Sequence, residues 1–160
     1  MRSTLIGGLV EVLQNNLNRK QNRVRIFEIA RVFAKNADGG FAQNERIGGL
    51  WYGAAMPEQW DEKTRNADFY DIKADVENLL KNSKIEFAKT SHPALHPGRA
   101  AEIVSDGQAI GFVGELHPKW LQKYDLPQAP LVFEIDMAAV CRREKTRYQA
   151  VSAVDRKSVV

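Results

Sequence analysis

Cysteine is nearly absent from this sequence. Cys141 is the only cysteine among 160 residues, so no disulfide bond can form within the chain, and such usage is typical of a reducing compartment rather than of a secreted, disulfide-rich domain. Cys141 also belongs to no motif that is typical of a nucleophilic thiol. Long apolar runs are missing too: none approaches the ~20 residues that a membrane-spanning helix needs, and the first residues lack the layout of a signal peptide. We therefore expect a soluble, cytoplasmic protein with no membrane partner.

A large excess of charge of either sign is also missing. The 23 Lys and Arg residues are nearly balanced by 20 Asp and Glu residues, which leaves a net charge of +3. The charges are interspersed; a basic cluster is approached only within residues 142–147, and Glu144 interrupts it. This pattern permits a polyanionic partner but does not require one. A stand-alone RNA-binding module, with Tyr148 beside these basic residues, is therefore the weakest of the functional alternatives.

The motifs of phosphate-binding loops and of metal sites are absent as well. Residues 111–115 contain two glycines but match neither a Gly-x-Gly-x-x-Gly nor a Gly-Lys-Ser pattern. His92 and His96 are four residues apart, but Pro93 and Pro97 disfavour the helix that would aim both imidazoles at one metal ion. Histidines that order a loop are the better interpretation. The residues alone predict no catalytic group, no cofactor-binding group and no metal ligand.

What the sequence does contain is the pattern of one globular domain, with 44% hydrophobic and 27% charged residues. Apolar residues recur at helical spacing over residues 5–17 and 68–80, with Ser3 or Thr4 and Asn66 or Asp68 as the predicted caps. A further short helix is predicted to follow His117. Strands are predicted over residues 23–33, 46–53, 85–87, 101–105, 109–113 and 131–135. Because two pairs of neighbouring strands are joined by hairpin loops, we expect an α+β fold, an antiparallel sheet flanked by helices.

The segment 23–33 holds the most unusual charge. Its β-branched and aromatic residues suit a strand deep in the sheet, where the carboxylate of Glu28 is costly to bury without a partner. Arg23, Arg25 and Arg31 are the candidate partners within this segment. A structural role for Glu28 is favoured over a catalytic one.

Five segments together resemble the bacterial phenylalanyl-tRNA synthetase beta-subunit family. They are MRSTLIGGL at residues 1–9, IFEIARVF at 26–33, DFYDIKADVE at 68–77, LHPGRAA at 95–101 and IGFVGELHP at 110–118. Ala30 departs from the glycine that is usual in the family. The resemblance covers residues 1–152, which we expect to form a single catalytic-like domain from near the C-terminal end of that subunit. Residues 153–160 leave the family pattern and are consistent with vector-derived sequence.

The resemblance implies a fold similar to a class II synthetase catalytic domain. Class II catalysis requires arginines in the second and third motifs to neutralise charge on the ATP phosphates. The second-motif analogue here is Phe27-Glu28 without that arginine, and the Gly-rich third motif is missing. The resemblance thus implies a domain that is inactive alone and packs against the alpha subunit of an α2β2 enzyme. ATP, magnesium and tRNA are implied for the whole enzyme.

Two sets of residues follow as predictions. Gly7, Gly8, Leu9 and Leu13, on a glycine-bearing helix, are predicted to contact the alpha subunit. The second set is assigned only by its match to the family motif, which leaves a functional and a structural role equally open; it comprises His96, Pro97, Gly98 and Arg99. The alternative to a non-catalytic domain is an active class II ligase, in which Glu28 and Arg99 would share a nucleotide site.

Overall fold

The computed structural model describes residues 2–35, 39–61, 63–81 and 83–142. The predicted domain 1–152 and the predicted tail 153–160 therefore extend beyond it, as do Tyr148 and most of the basic stretch 142–147. Within the described ranges, no helix is both long and apolar enough to cross a membrane.

Six antiparallel strands form one sheet, with the order β1-β2-β6-β5-β4-β3. Helices precede, follow and interrupt the strands, so the predicted α+β class is confirmed. The strands are β1 (Val24–Lys35), β2 (Phe41–Tyr52), β3 (Ile85–Lys89), β4 (Leu95–Ser105), β5 (Gln108–Leu116) and β6 (Leu131–Asp136).

Helices cover both faces of this sheet. They are α1 (Ile6–Asn18), α2 (Phe69–Leu79), α3 (Pro118–Tyr124) and α4 (Met137–Val140). Buried side chains of α1 and partly buried ones of α3 belong to one apolar cluster, and those of α2 and α4 belong to a second cluster on the opposite face. We refer to these two sides of the sheet as the α1 face and the α2 face.

The helix α1 lies within one residue of its predicted bounds. Its side chains at three- and four-residue intervals, Ile6, Leu9, Val10 and Leu13, are buried against the sheet, as the periodicity predicts. Leu5, and not Ser3 or Thr4 as predicted, occupies the N-cap position, and it supplies no side-chain hydrogen bond. The Thr4 hydroxyl still accepts the backbone N–H of Ile6 at 3.3 Å, so Thr4 contributes to the helix start from one residue earlier.

The helix α2 begins as predicted, at a cap formed by Asp68. The Asp68 carboxylate accepts the backbone N–H groups of Tyr70 at 2.8 Å and of Asp71 at 3.2 Å, while the Asp71 carboxylate accepts the N–H of Asp68 at 2.8 Å. This reciprocal capping box satisfies donors that a helix N-terminus otherwise leaves free. Ile72 and Val76 are buried on its apolar side.

The two predicted hairpins are confirmed, but one prediction about their place in the sheet is wrong. Asp106 and Gly107, with φ of 51° and 75°, form the two-residue turn between β4 and β5, as expected for an Asp-Gly pair. The strand β1, expected deep in the sheet, is an edge strand. Its hairpin partner β2 has β6 on its other side, so among the described strands β1 has a single neighbour.

Candidate functional site

Two glutamates and a glycine form a row across three strands. In the sheet register Glu28 of β1 lies opposite Gly48 of β2, and Gly48 lies opposite Glu134 of β6. Because Gly48 has no side chain, Leu5 packs directly over it; a Cβ built on Gly48 would lie 3.1 Å from the Leu5 Cβ. The residues just before α1 therefore cross the α1 face between the two carboxylates.

The carboxylate of Glu134 is buried, with 1% of the residue exposed. Its Oε2 accepts hydrogen bonds from the Leu5 backbone N–H at 2.9 Å and from the Thr4 hydroxyl at 2.5 Å. Its Oε1 accepts one from Arg46 Nη1 at 3.2 Å. A negative group at a helix N-terminus also interacts favourably with the free N–H groups and the helix dipole. Glu134 therefore supplies a charged acceptor at the start of α1 beside the Thr4 hydroxyl, which accepts the Ile6 N–H, and its own charge is compensated.

The Arg46 guanidinium has a buried donor that is not used in the contact with Glu134. Its Nε is buried and has no hydrogen-bond partner among the described residues. The side chain as a whole keeps 28% of its surface exposed, in contrast to the Glu134 side chain that it contacts. The ion pair thus links the buried carboxylate to the protein surface.

The carboxylate of Glu28 is neutralised by a residue that is distant in sequence. Arg2 Nη2 donates to Glu28 Oε1 at 2.7 Å, and both side chains remain partly exposed. Of the three predicted partners, Arg23 and Arg25 donate instead to the backbone carbonyls of Ala54 and Ala55, and Glu28 pairs with Arg2 rather than with Arg31, so this prediction is wrong. The side chains of Arg23, Arg25 and Phe27 point to the opposite face of the sheet from Glu28, since successive strand residues alternate between faces.

Arg25 lies on the α2 face, with its guanidinium 3.2 Å from the centroid of the Trp51 ring. Burial lowers the pKa of Arg25, and nearby Arg23 lowers it further, against the raising effect of Asp75 and Asp71. Phe27 follows on the same face and leaves 71% of its surface exposed.

His92 lies near the ion pair of Glu134 and Arg46. Its imidazole stacks on the ring of Phe112, with 4.1 Å between the ring centroids, and Phe112 is the register neighbour of Glu134 on β5. Burial lowers the pKa of His92; Arg46 acts in the same direction, and Glu134 opposes both. The imidazole is therefore neutral near pH 7.

All three histidines order the backbone in the same way, which confirms the interpretation of His92 and His96. Each precedes a proline, and each Nδ1 accepts the backbone N–H two residues on. These bonds join His92 to Ala94 at 3.3 Å, His96 to Gly98 at 3.0 Å and His117 to Lys119 at 3.1 Å. Among the described residues no three His, Cys, Asp or Glu side chains are grouped so that they could hold a metal ion.

The motif residues His96, Pro97, Gly98 and Arg99 form a bulge in β4. Leu95 pairs with Leu116 and Ala100 with Gly114, so β4 advances five residues while β5 advances two. The bulge packs closely on Gly114, whose added Cβ would lie 2.6 Å from the Arg99 carbonyl oxygen. Arg99 Nη1 donates to both oxygens of Glu115, at 3.0 and 2.9 Å. The four motif residues therefore form the bulge at which β4 packs against β5.

The structure does not bring Glu28 and Arg99 together. Glu28 lies on β1 and Arg99 on β4, four strand positions away in the sheet order. Four spacings of about 4.8 Å separate the strands by roughly 19 Å, and Arg99 is already paired with Glu115. The two residues that the active-ligase alternative requires in one nucleotide site are thus on different parts of the sheet.

Of the four residues predicted to contact the alpha subunit, two are buried in the core and two are half-buried. Leu9 and Leu13 are 3% and 0% exposed and belong to the core on the α1 face, so their prediction as surface contacts is wrong. They are buried because they share the apolar side of α1 that packs on the sheet. Gly7 and Gly8 are half-buried, and a Cβ added at Gly7 would have no atom within 4 Å.

A match to a protein-family model shows which family this chain belongs to. Residues 1–137 match the model described as the phenylalanyl tRNA synthetase beta chain CLM domain. This chain belongs to that family. It is 86% identical over 152 residues to the phenylalanine–tRNA ligase beta subunit of Neisseria gonorrhoeae, and 55% identical over 152 residues to that of Chromobacterium violaceum. Each alignment covers 95% of this chain and 19% of the relative, so the chain spans about a fifth of the length of these relatives.

A solved structure shares the fold at low sequence identity. The Desulfitobacterium hafniense PylSc, a pyrrolysyl tRNA synthetase, superimposes with a TM-score of 0.62 at 12% identity, covering 88% of this chain and 47% of that one. The predicted class II synthetase-like fold is confirmed by this likeness.

Glu134 is the buried charged residue of this region that the sequence patterns did not single out. A signal was present: a lone acid inside the apolar run of residues 131–135, which is costly to bury without partners. Its partners Thr4 and Leu5 lie 130 and 129 residues away, and no local pattern indicates such a contact.

Proposed function

We propose that this chain is the non-catalytic, catalytic-like domain of a phenylalanine–tRNA ligase beta subunit. In this proposal it packs against the alpha subunit of a cytoplasmic α2β2 enzyme that attaches phenylalanine to its tRNA by using ATP. The family membership supports the first part. The name of the relatives, beta subunit, supports an alpha partner. The observation that carries the non-catalytic role is the occupation of the α1 face around Glu28, the second-motif analogue, by the chain's own residues Arg2 and Leu5.

Arg2 and Leu5 account for this occupation. Leu5 fills the space above Gly48, and Arg2 binds the Glu28 carboxylate directly. Any ligand that used Glu28 would have to displace an ion pair, and its path toward Glu134 would meet a buried leucine. The ATP and the magnesium ion used by the whole enzyme are therefore assigned in this proposal to residues outside the chain.

Assembly with the alpha subunit is tested by changing Gly7 in a full-length beta subunit. Gly7→Arg adds a long cationic side chain at an open position of α1, so the fold should tolerate it. Ala138→Arg is the matched control, because Ala138 is an exposed small residue on α4, on the opposite face. Size-exclusion chromatography with the cognate alpha subunit should show assembly by the wild type and by Ala138→Arg, and weakened assembly by Gly7→Arg. Equal assembly of all three would overturn the Gly7 contact.

The non-catalytic role is tested with the 160-residue chain alone. Phenylalanine-dependent exchange of pyrophosphate into ATP should stay at background with the purified chain and appear when the complete enzyme is supplied. Exchange by the chain alone that disappears in Glu28→Gln would instead support the active-ligase alternative.

A further inference from the structure

The outer edge of β1 carries unpaired backbone groups. Phe33 donates its N–H outward to the Arg2 carbonyl at 2.9 Å. Because the N–H and C=O groups of a strand alternate in direction with a period of two, the same groups of Arg25, Phe27, Ile29 and Arg31 also point to this edge. No other described strand pairs there. An edge of this length is a template for a further strand.

The side chains of these residues point together to the α2 face. Phe27 and Ile29 are 71% and 46% exposed, which is high for adjacent large apolar residues on one strand face. Native edge strands usually prevent unwanted pairing with charged or bulged positions. Here the apolar pair at the centre is left open, and contiguous exposed apolar surface of this kind marks interaction sites.

A cavity adjoins this edge. A volume of about 570 Å³ lies between β1 and α2, next to Phe27, with Trp51 and Phe133 among its mostly apolar lining. Arg25 and Asp75 supply its charged lining. Strand-addition sites combine backbone pairing with pockets for alternate side chains of the added strand, and this cavity is positioned to receive one such side chain.

The charge around the edge indicates the chemistry of the partner. Arg25 and Arg31 flank the apolar pair, and the one acid of β1, Glu28, is already bound to Arg2 on the other face. On the α2 face Glu45 lies opposite Arg31 in the sheet register, and Asp75 lines the cavity with Arg25. Both acids belong to other elements, β2 and α2, so within residues 25–31 the only charged groups that β1 itself presents on this face are arginines. A second copy of the chain, added antiparallel and centred on Glu28, would place Arg25 opposite Arg31, and like charges directly opposite are destabilising. An acidic strand would instead meet both arginines favourably.

We propose that the outer edge of β1 is a docking site for an extended acidic segment of a partner protein. The segment adds antiparallel to residues 25–31, pairs with their outward backbone groups and inserts an apolar side chain beside Phe27. Its carboxylates meet Arg25 and Arg31. This inference does not rest on the proposed ligase function.

The first test uses a capped peptide of about ten residues that alternates Glu with Val, and the ¹⁵N-labelled 160-residue chain. Saturable shifts and slowed hydrogen exchange should appear at the amides of Phe27, Ile29 and Arg31, and binding should weaken as salt is raised. A Lys/Val peptide of equal length should bind at least tenfold more weakly. The Glu/Val peptide N-methylated at alternate residues should lose binding, because it cannot complete the backbone pairing.

The second test removes charge from the protein. Arg31→Gln should weaken binding of the Glu/Val peptide about three- to fivefold, in line with one exposed charge pair. Lys84→Gln is the matched control, because Lys84 is exposed and lies beside the opposite edge strand β3. The affinity of this variant for the Glu/Val peptide should match that of the wild type.

Several results would overturn the proposal. These are no saturable binding of the Glu/Val peptide, equal binding of the Lys/Val peptide, and shifts confined to β3. Self-association that protects the β1 amides without peptide would assign the edge to a second copy instead. Equal losses of peptide affinity in Arg31→Gln and Lys84→Gln would mean that the net charge of the chain, and not a contact with Arg31, attracts the peptide.

Discussion

The carboxylate of Glu134 accepts the backbone N–H of Leu5 at 2.9 Å and so anchors the start of α1 to the central strand β6. The contact joins residues 129 positions apart. It stabilises a helix whose N-cap residue has no polar side chain, and it fixes the segment that crosses the α1 face. Fold and site therefore depend on the same carboxylate.

Glu134→Gln should lower the free energy of unfolding by about 2–3 kcal/mol. The substitution keeps the side-chain size but removes the charge that Arg46 and the N-terminus of α1 require, and it leaves buried donors poorly satisfied. Urea denaturation followed by circular dichroism measures the change. Glu115→Gln, which breaks the more exposed pair with Arg99, is the control and should cost less than about 1 kcal/mol. Equal losses for the two variants would contradict the role assigned to Glu134.

Local sequence patterns predicted most of this fold but not the contacts of Glu28 and Glu134. The spans of α1 and α2, the Asp68 cap and the Asp-Gly turn follow from periodicity and short-range hydrogen bonding, which neighbouring residues determine. The edge position of β1 depends on which strand joins β2 on its other side. The partners of Glu28 and Glu134 likewise depend on the path of residues 2–5 across the sheet, which no spacing within the chain encodes.

Two glycine-to-alanine substitutions should change stability in opposite directions. A Cβ on Gly49 would overlap the Phe133 ring, and overpacking of this kind costs about 1–3 kcal/mol. Gly7 lies inside α1 with no atom within 4 Å of the added Cβ, so Gly7→Ala should stabilise the chain by about 0.5–1 kcal/mol. Thermal denaturation of the two variants against the wild type measures both effects. A lower midpoint for Gly7→Ala would show that the open space is filled in solution.

Asp71 should stabilise α2 only while its carboxylate is ionised. The hydrogen bond from Arg65 is the largest cause that holds the pKa of Asp71 below its ordinary value of 3.8, with the Asp68 backbone N–H adding to it against the effect of burial. Because the folded pKa is depressed, this stability is fully present above about pH 4 and is lost as the pH falls through the folded value. At pH 7, Asp71→Asn should cost about 0.5–2 kcal/mol, as lost caps do.

Denaturation of wild type and Asp71→Asn from pH 7 to pH 2 checks this prediction. The difference between the two proteins should shrink below pH 4. A difference that stays constant over this range would mean that the cap acts through its geometry rather than its charge. Arg65→Ala should move the pKa of Asp71 back toward its ordinary value in an NMR titration.

His92 should make the chain less stable as the pH falls below about 6.5. Burial is the main cause that lowers its pKa from 6.5, and Arg46 adds to this against the opposing charge of Glu134. The folded state therefore binds this proton less readily than the unfolded state does. Stability is present in full above pH 6.5 and declines as the pH falls toward the folded pKa.

His92→Asn isolates this contribution, because asparagine does not titrate and its side-chain oxygen can still accept a hydrogen bond from the Ala94 N–H. Urea denaturation at pH 7.5 and pH 5.5 should show a smaller loss of stability in the variant than in the wild type. An NMR titration of the His92 ring should independently give a midpoint below 6.5. The prediction fails if the ring titrates above that value, since the charge of Glu134 would then outweigh the desolvation of an imidazole that stacks on Phe112.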